Sequence, residues 1–170
     1  MFPSFAVSHD AAALSPRPAR VSQTEMTELV LPQHTNALGT VFGGTVMAWI
    51  DIAAAIAAQR HTGKIVVTAA VDDLTFVGAL RLGDIARISA RVNASFRTSV
   101  EVAVTVEQED LRTMARSLCV DALLTFVALD EHNRPTSVPP LLLENDDDRA
   151  RSLAANARRE ERLKRRKPST

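Results

Sequence analysis

The sequence predicts an α+β fold in which a five-stranded antiparallel sheet wraps around one central helix. Two features predict it. One helical segment, residues 45–60, is apolar on every face, so protein must surround it on nearly all sides. Five segments of apolar and β-branched residues are separated by short turns, which favours antiparallel pairing over alternating parallel units.

The elements follow in order along the chain. A first strand over residues 24–31 is closed by Pro32 and followed by a polar loop. Gly43 and Gly44 free the backbone just before the helix, and residues 61–64 end it. Alternation of apolar with polar residues then predicts four strands, over residues 65–77, 85–94, 100–107 and 116–129.

The chain of 170 residues, 46% hydrophobic, suits a single domain. We expect a disordered leader over residues 1–21, the folded domain over residues 22–143, and a charged helical tail over residues 144–170. The leader lacks a basic start followed by an apolar run, so it is not a secretory signal; a mitochondrial transit peptide is the weaker alternative. The longest apolar stretch, residues 46–58, is too short to span a membrane.

In the tail, acidic residues precede nine basic residues, the order that a helix dipole prefers. The favoured interpretation is a solvated terminal helix. Contact with RNA, an anionic surface or nucleotide phosphates stays open, although the tail has no aromatic residue to stack on bases.

The charge and cysteine content restrict the function classes. The 20 basic and 20 acidic residues cancel, so we expect no nucleic-acid partner. A single cysteine, Cys119, excludes an internal disulfide and favours the cytoplasm. The four histidines have no ligand-like spacing, so no metal is expected.

Four residues near the helix start carry the chemistry. Asp51 stands inside an otherwise apolar helix, where an unpaired carboxylate is costly, so it is either functional or part of an exposed edge or subunit contact. Asn36 precedes it in a loop that Asn also favours for backbone reasons. Gly43 and Gly44 leave N–H groups at the helix N-terminus, which polarise a carbonyl or simply permit close packing.

Residues 31–51 resemble the signature of the hot-dog-fold acyl-CoA thioesterases, in particular the cytosolic acyl-CoA hydrolase group; they read LPQHTNALGTVFGGTVMAWID. The resemblance extends over about residues 24–140, through residues 60–61, 66–69, 97–102, 125–129 and 138–140.

This resemblance implies hydrolysis of an acyl-CoA to free fatty acid and CoA. It implies that Asp51 acts as general base or nucleophile and that Asn36 of a partner subunit orients water or substrate. By the same resemblance Gly43 and Gly44 polarise the carbonyl, and CoA contacts fall on Arg97, Thr98 and Ser99. The expected assembly is a homo-oligomer, a trimer of dimers with the dimer as its minimal active unit, and CoA enters only as part of the substrate and product.

Two other functions compete with hydrolysis. A non-catalytic module that binds acyl-CoA for regulation has no use for Asp51. A dehydratase of the same fold needs a catalytic histidine, and His34 lies three residues too early for that position.

Overall fold

The computed structural model describes residues 14–165, without the side chain of residue 165. Seven strands are β1 (Arg17–Pro18), β2 (Thr24–Leu29), β3 (Ile65–Phe76), β4 (Ile85–Ser95), β5 (Ser99–Glu109), β6 (Arg116–Leu129) and β7 (Leu141–Leu142). Two α-helices are α1 (Gly43–Thr62) and α2 (Asp146–Arg165), and short 3-10 helices cover Ala19–Ser22 and Pro32–His34.

The main sheet has five antiparallel strands in the order β2-β4-β5-β6-β3. Its core face carries the alternate residues that the period-two pattern predicts, because successive side chains of a strand point to opposite faces. In β5 these are Val100, Val102, Val104 and Val106, each fully buried. The predicted five-stranded sheet around a central helix is confirmed.

Helix α1 lies in the hollow of the sheet and ends at Gly63, which adopts φ +68°. One face of α1, including Ile50, Ala53 and Ala57, is buried against the strands. The opposite face is not covered by its own chain, since Met47 is 45% exposed and Ile52 51% exposed. Within a single chain, the expectation that protein surrounds the helix on nearly all sides is therefore wrong, because the sheet reaches only one side.

The predicted disordered leader is wrong for residues 17–21. Strand β1 pairs in parallel with β7, and the Ser22 hydroxyl accepts a hydrogen bond from the Val92 N–H at 2.9 Å. Ala19 and Ser22 are buried, so contacts with distant segments order this stretch. Residues 1–13 of the predicted leader lie outside the described residues.

Helix α2 packs on the outer face of the sheet, opposite α1, with Ala155 fully buried. Arginine–carboxylate pairs join it to the strands: Arg91 with Asp148 and with Asp147 at 3.3 Å, Arg158 with Glu101 at 2.6 Å, and Arg162 with Asp72 at 2.5 Å. The tail is helical over Asp146–Arg165 and most of its side chains are exposed, as the interpretation of a solvated helix expects, but these pairs attach one face of it to the sheet. No helix within residues 14–165 is long and apolar enough to span a membrane.

Candidate active site

Asp51 and Thr68 form the central contact of the site. Asp51 lies in the third turn of α1, on the uncovered face, where it is only partly buried. The Thr68 hydroxyl on β3 donates a hydrogen bond to Asp51 Oδ1 at 2.6 Å. This short bond fixes one carboxylate oxygen, while the other has no hydrogen bond among the described residues.

Thr68 lies on β3 directly before a β-bulge. In the pairing of β3 with β6, Thr68 lies opposite Phe126 and Ala70 lies opposite Thr125, so Ala69 is an extra residue. Thr68 shares the helix-facing side of the strand with Val66, since their partners Phe126 and Ala128 are both core residues. The pairing is unbroken from Ile65 to Thr68, so ordinary alternation directs the Thr68 side chain to the helix side, where it meets Asp51, and the bulge begins just after it.

Asn36 is fixed within its own loop. Its side-chain oxygen accepts hydrogen bonds from the N–H groups of Leu38 at 2.9 Å and Thr40 at 3.3 Å, and its amide nitrogen donates to the Thr40 hydroxyl at 3.0 Å. Gly39, and not Asn36, has the positive φ of this turn, +71°. The side-chain amide has two hydrogens, so one remains available for water or substrate.

The loop is also held against the helix. The His34 ring packs edge-on against Trp49, with centroids 5.2 Å apart, and the His34 carbonyl accepts from the Phe42 N–H at 2.9 Å. These contacts position Asn36 relative to the start of α1. Among the described residues, no hydrogen bond joins Asn36 to Asp51 of the same chain.

The N-terminus of α1 is open. Phe42 precedes it and offers no side-chain acceptor, so the N–H groups of Gly43 and Gly44 lack a cap among the described residues. A Cβ atom at Gly44 would meet nothing within 4 Å, and one at Gly43 would meet only the Phe76 ring, at 3.5 Å. The helix dipole therefore presents two unshielded donors to any carbonyl that gains negative charge.

An apolar cavity of about 270 Å³ adjoins this helix terminus. It extends from Gly43 towards the ends of β3 and β6, and its lining residues are Thr40, Val41, Gly43, Val46, Phe76, Gly78, Ala79, Leu80, Cys119 and Val120. Cys119 is buried there, and this burial raises the pKa of its thiol. The thiol is therefore protonated at neutral pH and unsuited to act as a nucleophile.

The turn from Arg97 to Ser99 joins β4 to β5. The Arg97 carbonyl accepts from the Val138 N–H at 3.2 Å, and the neighbouring Pro139 carbonyl contacts His61 Nε2 at 3.0 Å, near the C-terminus of α1. The structure thus places the predicted CoA contacts towards the opposite end of the helix from Gly43 and Gly44. Within one chain Asp51 lies against Thr68, but the predicted catalytic, carbonyl-polarising and CoA-binding residues do not all come together.

Thr68 is the residue that the sequence analysis missed. It stands in residues 66–69, a run that resembles the thioesterases, but a threonine in a strand is too common to be singled out by residue type. A helix inside an antiparallel sheet of five strands is the hot-dog fold, and on this chain it carries a carboxylate–hydroxyl pair and an open helix terminus.

Comparison with known proteins agrees with this class. The family model described as "Thioesterase superfamily" matches residues 38–115. The chain is 35% identical over 148 residues to the uncharacterized acyl-CoA thioester hydrolase YkhA of Bacillus subtilis, covering 87% of this chain and 86% of that protein. The chain therefore belongs to the thioesterase superfamily, among the acyl-CoA thioester hydrolases, as its resemblance predicts.

Solved structures agree. An apo-hexameric acyl-CoA thioesterase superposes with a TM-score of 0.86 at 38% identity, covering 92% of this chain and all of that one. The acyl-CoA hydrolase of Staphylococcus aureus, solved with butyryl coenzyme A and coenzyme A, gives 0.83 at 37%, covering 88% and 92%. Alanine variants of the Staphylococcus enzyme replace an asparagine, an aspartate and a threonine, spaced along its chain as Asn36, Asp51 and Thr68 are here.

Longer relatives contain a matching region. The chain is 36% identical to mouse acyl-coenzyme A thioesterase 11 and 33% identical to human cytosolic acyl coenzyme A thioester hydrolase. It spans 23% and 37% of their lengths.

Proposed function

We propose that this chain hydrolyses acyl-CoA thioesters to a carboxylic acid and CoA, at a site formed between two copies of the chain. The observation that carries the proposal is the Thr68–Asp51 hydrogen bond of 2.6 Å on the uncovered face of α1. An asparagine, an aspartate and a threonine with the same spacing as Asn36, Asp51 and Thr68 were replaced by alanine in a homologous acyl-CoA hydrolase.

The reaction follows from the groups present. The N–H groups of Gly43 and Gly44 stabilise the negative charge that develops on the thioester oxygen. As general base, Asp51 takes a proton from water while the water oxygen bonds to the carbonyl carbon; the C–S bond then breaks and the thiolate of CoA receives the proton. As nucleophile, Asp51 itself bonds to that carbon and displaces the thiolate, and water then cleaves the resulting anhydride.

Neither route requires a cofactor, because CoA is part of the substrate and the product. The cavity beside Gly43 is suited to the acyl group, since it is apolar and adjoins the polarising donors. Arg97, Thr98 and Ser99 are the proposed contacts of the CoA moiety, with Arg97 exposed and free to meet a phosphate.

A second copy is required for two reasons. The uncovered face of α1 and the helix-facing side of the edge strand β3 expose a band of large apolar side chains: Phe42, Met47, Ile52, Val71 and Phe76. Such a band is typical of a subunit contact. In addition, Asn36 and Asp51 of one chain share no hydrogen bond, so Asn36 of the partner subunit is the proposed companion of Asp51.

The proposed assembly is a dimer as the minimal active unit, within a trimer of dimers, in line with a structural neighbour that is hexameric. The proposed location is the cytoplasm. The chain has a single cysteine, which suits a reducing compartment, and a human relative is cytosolic by name.

The experiment is a panel of acyl-CoAs of graded chain length, with release of free thiol as the readout. Wild-type protein should turn over at least one of them, and Asp51→Asn should lower kcat by roughly 100-fold or more while keeping the oligomer. Binding of acyl-CoA without turnover by the wild type would indicate the regulatory module instead.

Mixing variants tests the shared site. Asn36→Ala and Asp51→Asn protomers, refolded together in equal amounts, give hetero-dimers with one intact site, so about a quarter of all sites should be restored. No recovery in verified hetero-dimers would contradict the contribution of the partner subunit.

A further inference from the structure

The segment of β3 that carries Thr68 is irregular and lies at the edge of the sheet. Its ladder with β6 is interrupted twice, because Ala69 and Asp72 both lack a partner. Each extra residue reverses which side chains face α1, so the second bulge restores the alternation that the first one shifts. Val71 and Leu74 therefore face inward, while Asp72 points to the outer face.

Asp72 is held there by two groups. Arg162 of α2 lies 2.5 Å from its Oδ2, and the Thr125 hydroxyl donates to the same oxygen at 2.7 Å. Arg162 also donates to the Thr125 hydroxyl at 2.9 Å, so the three side chains form a closed set. The Asp72 side chain is only 12% exposed, which makes the loss of its cation costly.

We propose that Arg162 is a positioning residue for the hydrolysis described above. By fixing Asp72 on the outer face, Arg162 fixes the second bulge and with it the irregular part of β3 that begins directly after Thr68. Holding that part of the edge strand against β6 keeps the Thr68 hydroxyl in place against Asp51. The proposal rests on the proposed function for its kinetic readout. Its structural readout, hydrogen exchange of β3, does not depend on the proposed function.

Arg158 provides a matched control on the same helix. It lies one turn before Arg162 and binds Glu101 of β5, a central strand that carries none of the proposed catalytic residues. Arg158→Ala and Arg162→Ala each remove one attachment of α2, but of these two arginines only Arg162 forms a salt bridge with a carboxylate of β3.

The kinetic experiment compares wild type, Arg158→Ala, Arg162→Ala, Arg162→Lys and Asp72→Asn on the best acyl-CoA, well below the thermal transition of each. Arg162→Ala should lower kcat about tenfold with KM changed less than about threefold, because ground-state binding is kept while Asp51 is less well oriented. Arg162→Lys should recover part of kcat, and Asp72→Asn combined with Arg162→Ala should be no slower than either alone. Arg158→Ala should keep kcat within about twofold of wild type.

Hydrogen exchange of the unliganded protein gives the readout that does not depend on activity. Arg162→Ala should increase exchange in peptides covering Ile65–Phe76 more than in peptides of β5, whereas Arg158→Ala should increase exchange of β3 no more than that of β5. Equal loss of kcat in the two alanine variants, or unchanged kcat and unchanged exchange of β3 in Arg162→Ala, would overturn the proposal. Asp72→Asn applies the same test if Arg162→Ala does not fold. A wild type that shows no turnover, together with the expected exchange pattern, would count against the proposed function and not against the role of Arg162 in holding β3.

Discussion

The pair between Arg158 and Glu101 gives the sharpest test of how α2 is attached. Glu101 lies on the outer face of β5 with its side chain 0% exposed. Arg158 approaches both carboxylate oxygens, Nη2 to Oε1 at 2.6 Å and Nε to Oε2 at 3.2 Å, and the Asn93 amide adds a bond at 3.3 Å. In Arg158→Ala the buried carboxylate keeps only the neutral amide.

The magnitude follows from this burial. Removing one partner of a buried pair costs about 3–5 kcal/mol, because the remaining charge stays desolvated. The Arg158 side chain is 33% exposed, so water can enter the vacated space, and the lower end, roughly 3 kcal/mol, is expected. For a chain of this size the Tm should fall by roughly 6–12 °C.

The assay is urea or thermal unfolding at a fixed protein concentration, since assembly shifts apparent stability. The control is Arg158→Met with Glu101→Gln, which removes both charges and should recover most of the loss. A loss below about 1 kcal/mol in Arg158→Ala would show that the pair behaves as an exposed salt bridge, and that α2 is held by its apolar face alone.

Two further predictions concern Thr68 and His61. Thr68→Val should lower kcat roughly 10–100-fold, because it removes one charge-assisted hydrogen bond to Asp51. Thr68→Ser keeps the hydroxyl and should keep most of kcat. Equal rates for the valine and serine variants would refute the role of the hydroxyl. His61 is fully buried, and burial lowers its pKa, so near pH 6.5 the unfolded chain takes up a proton that the folded protein does not. The unfolding free energy should therefore decline as pH falls below about 6.5. His61→Gln should flatten that dependence in urea titrations across roughly pH 5–8.

The sheet was predictable because its pattern is local. Alternation from Val100 to Val106 assigns one face of β5 to the core whatever else the chain does. The apolar helix is equally local, and its single carboxylate is conspicuous for the same reason. The two bulges of β3 could not be predicted, since their extra residues, Ala69 and Asp72, cancel in the alternation and leave the pattern at both ends of the strand intact.

Contacts between distant segments account for the remaining differences. Ser22 is ordered by Val92, 70 residues away, and Arg158 meets Glu101 across 57 residues. A run of basic residues gives no sign of which ones face a sheet, and Glu101 in a strand looks like any solvated outer-face residue. Thr68 likewise gains its meaning only through its contact with Asp51 on α1, 17 residues away.

The outer face of the sheet packs against α2 of the same chain, whereas the helix side keeps an apolar surface that the chain itself does not cover. On the outer face, α2 satisfies the charges of the strands within one chain, and the described Arg158 and Arg162 are engaged there and not offered to another molecule. On the helix side, Asp51 stays partly exposed among apolar side chains that the chain itself does not cover. Covering that band with a second copy would remove water around Asp51 and strengthen its interaction with Thr68 and with the developing oxyanion, because charges interact more strongly at low dielectric. Assembly would then act on the rate as well as on stability, since the carboxylate acquires its reactive surroundings only when the band is buried.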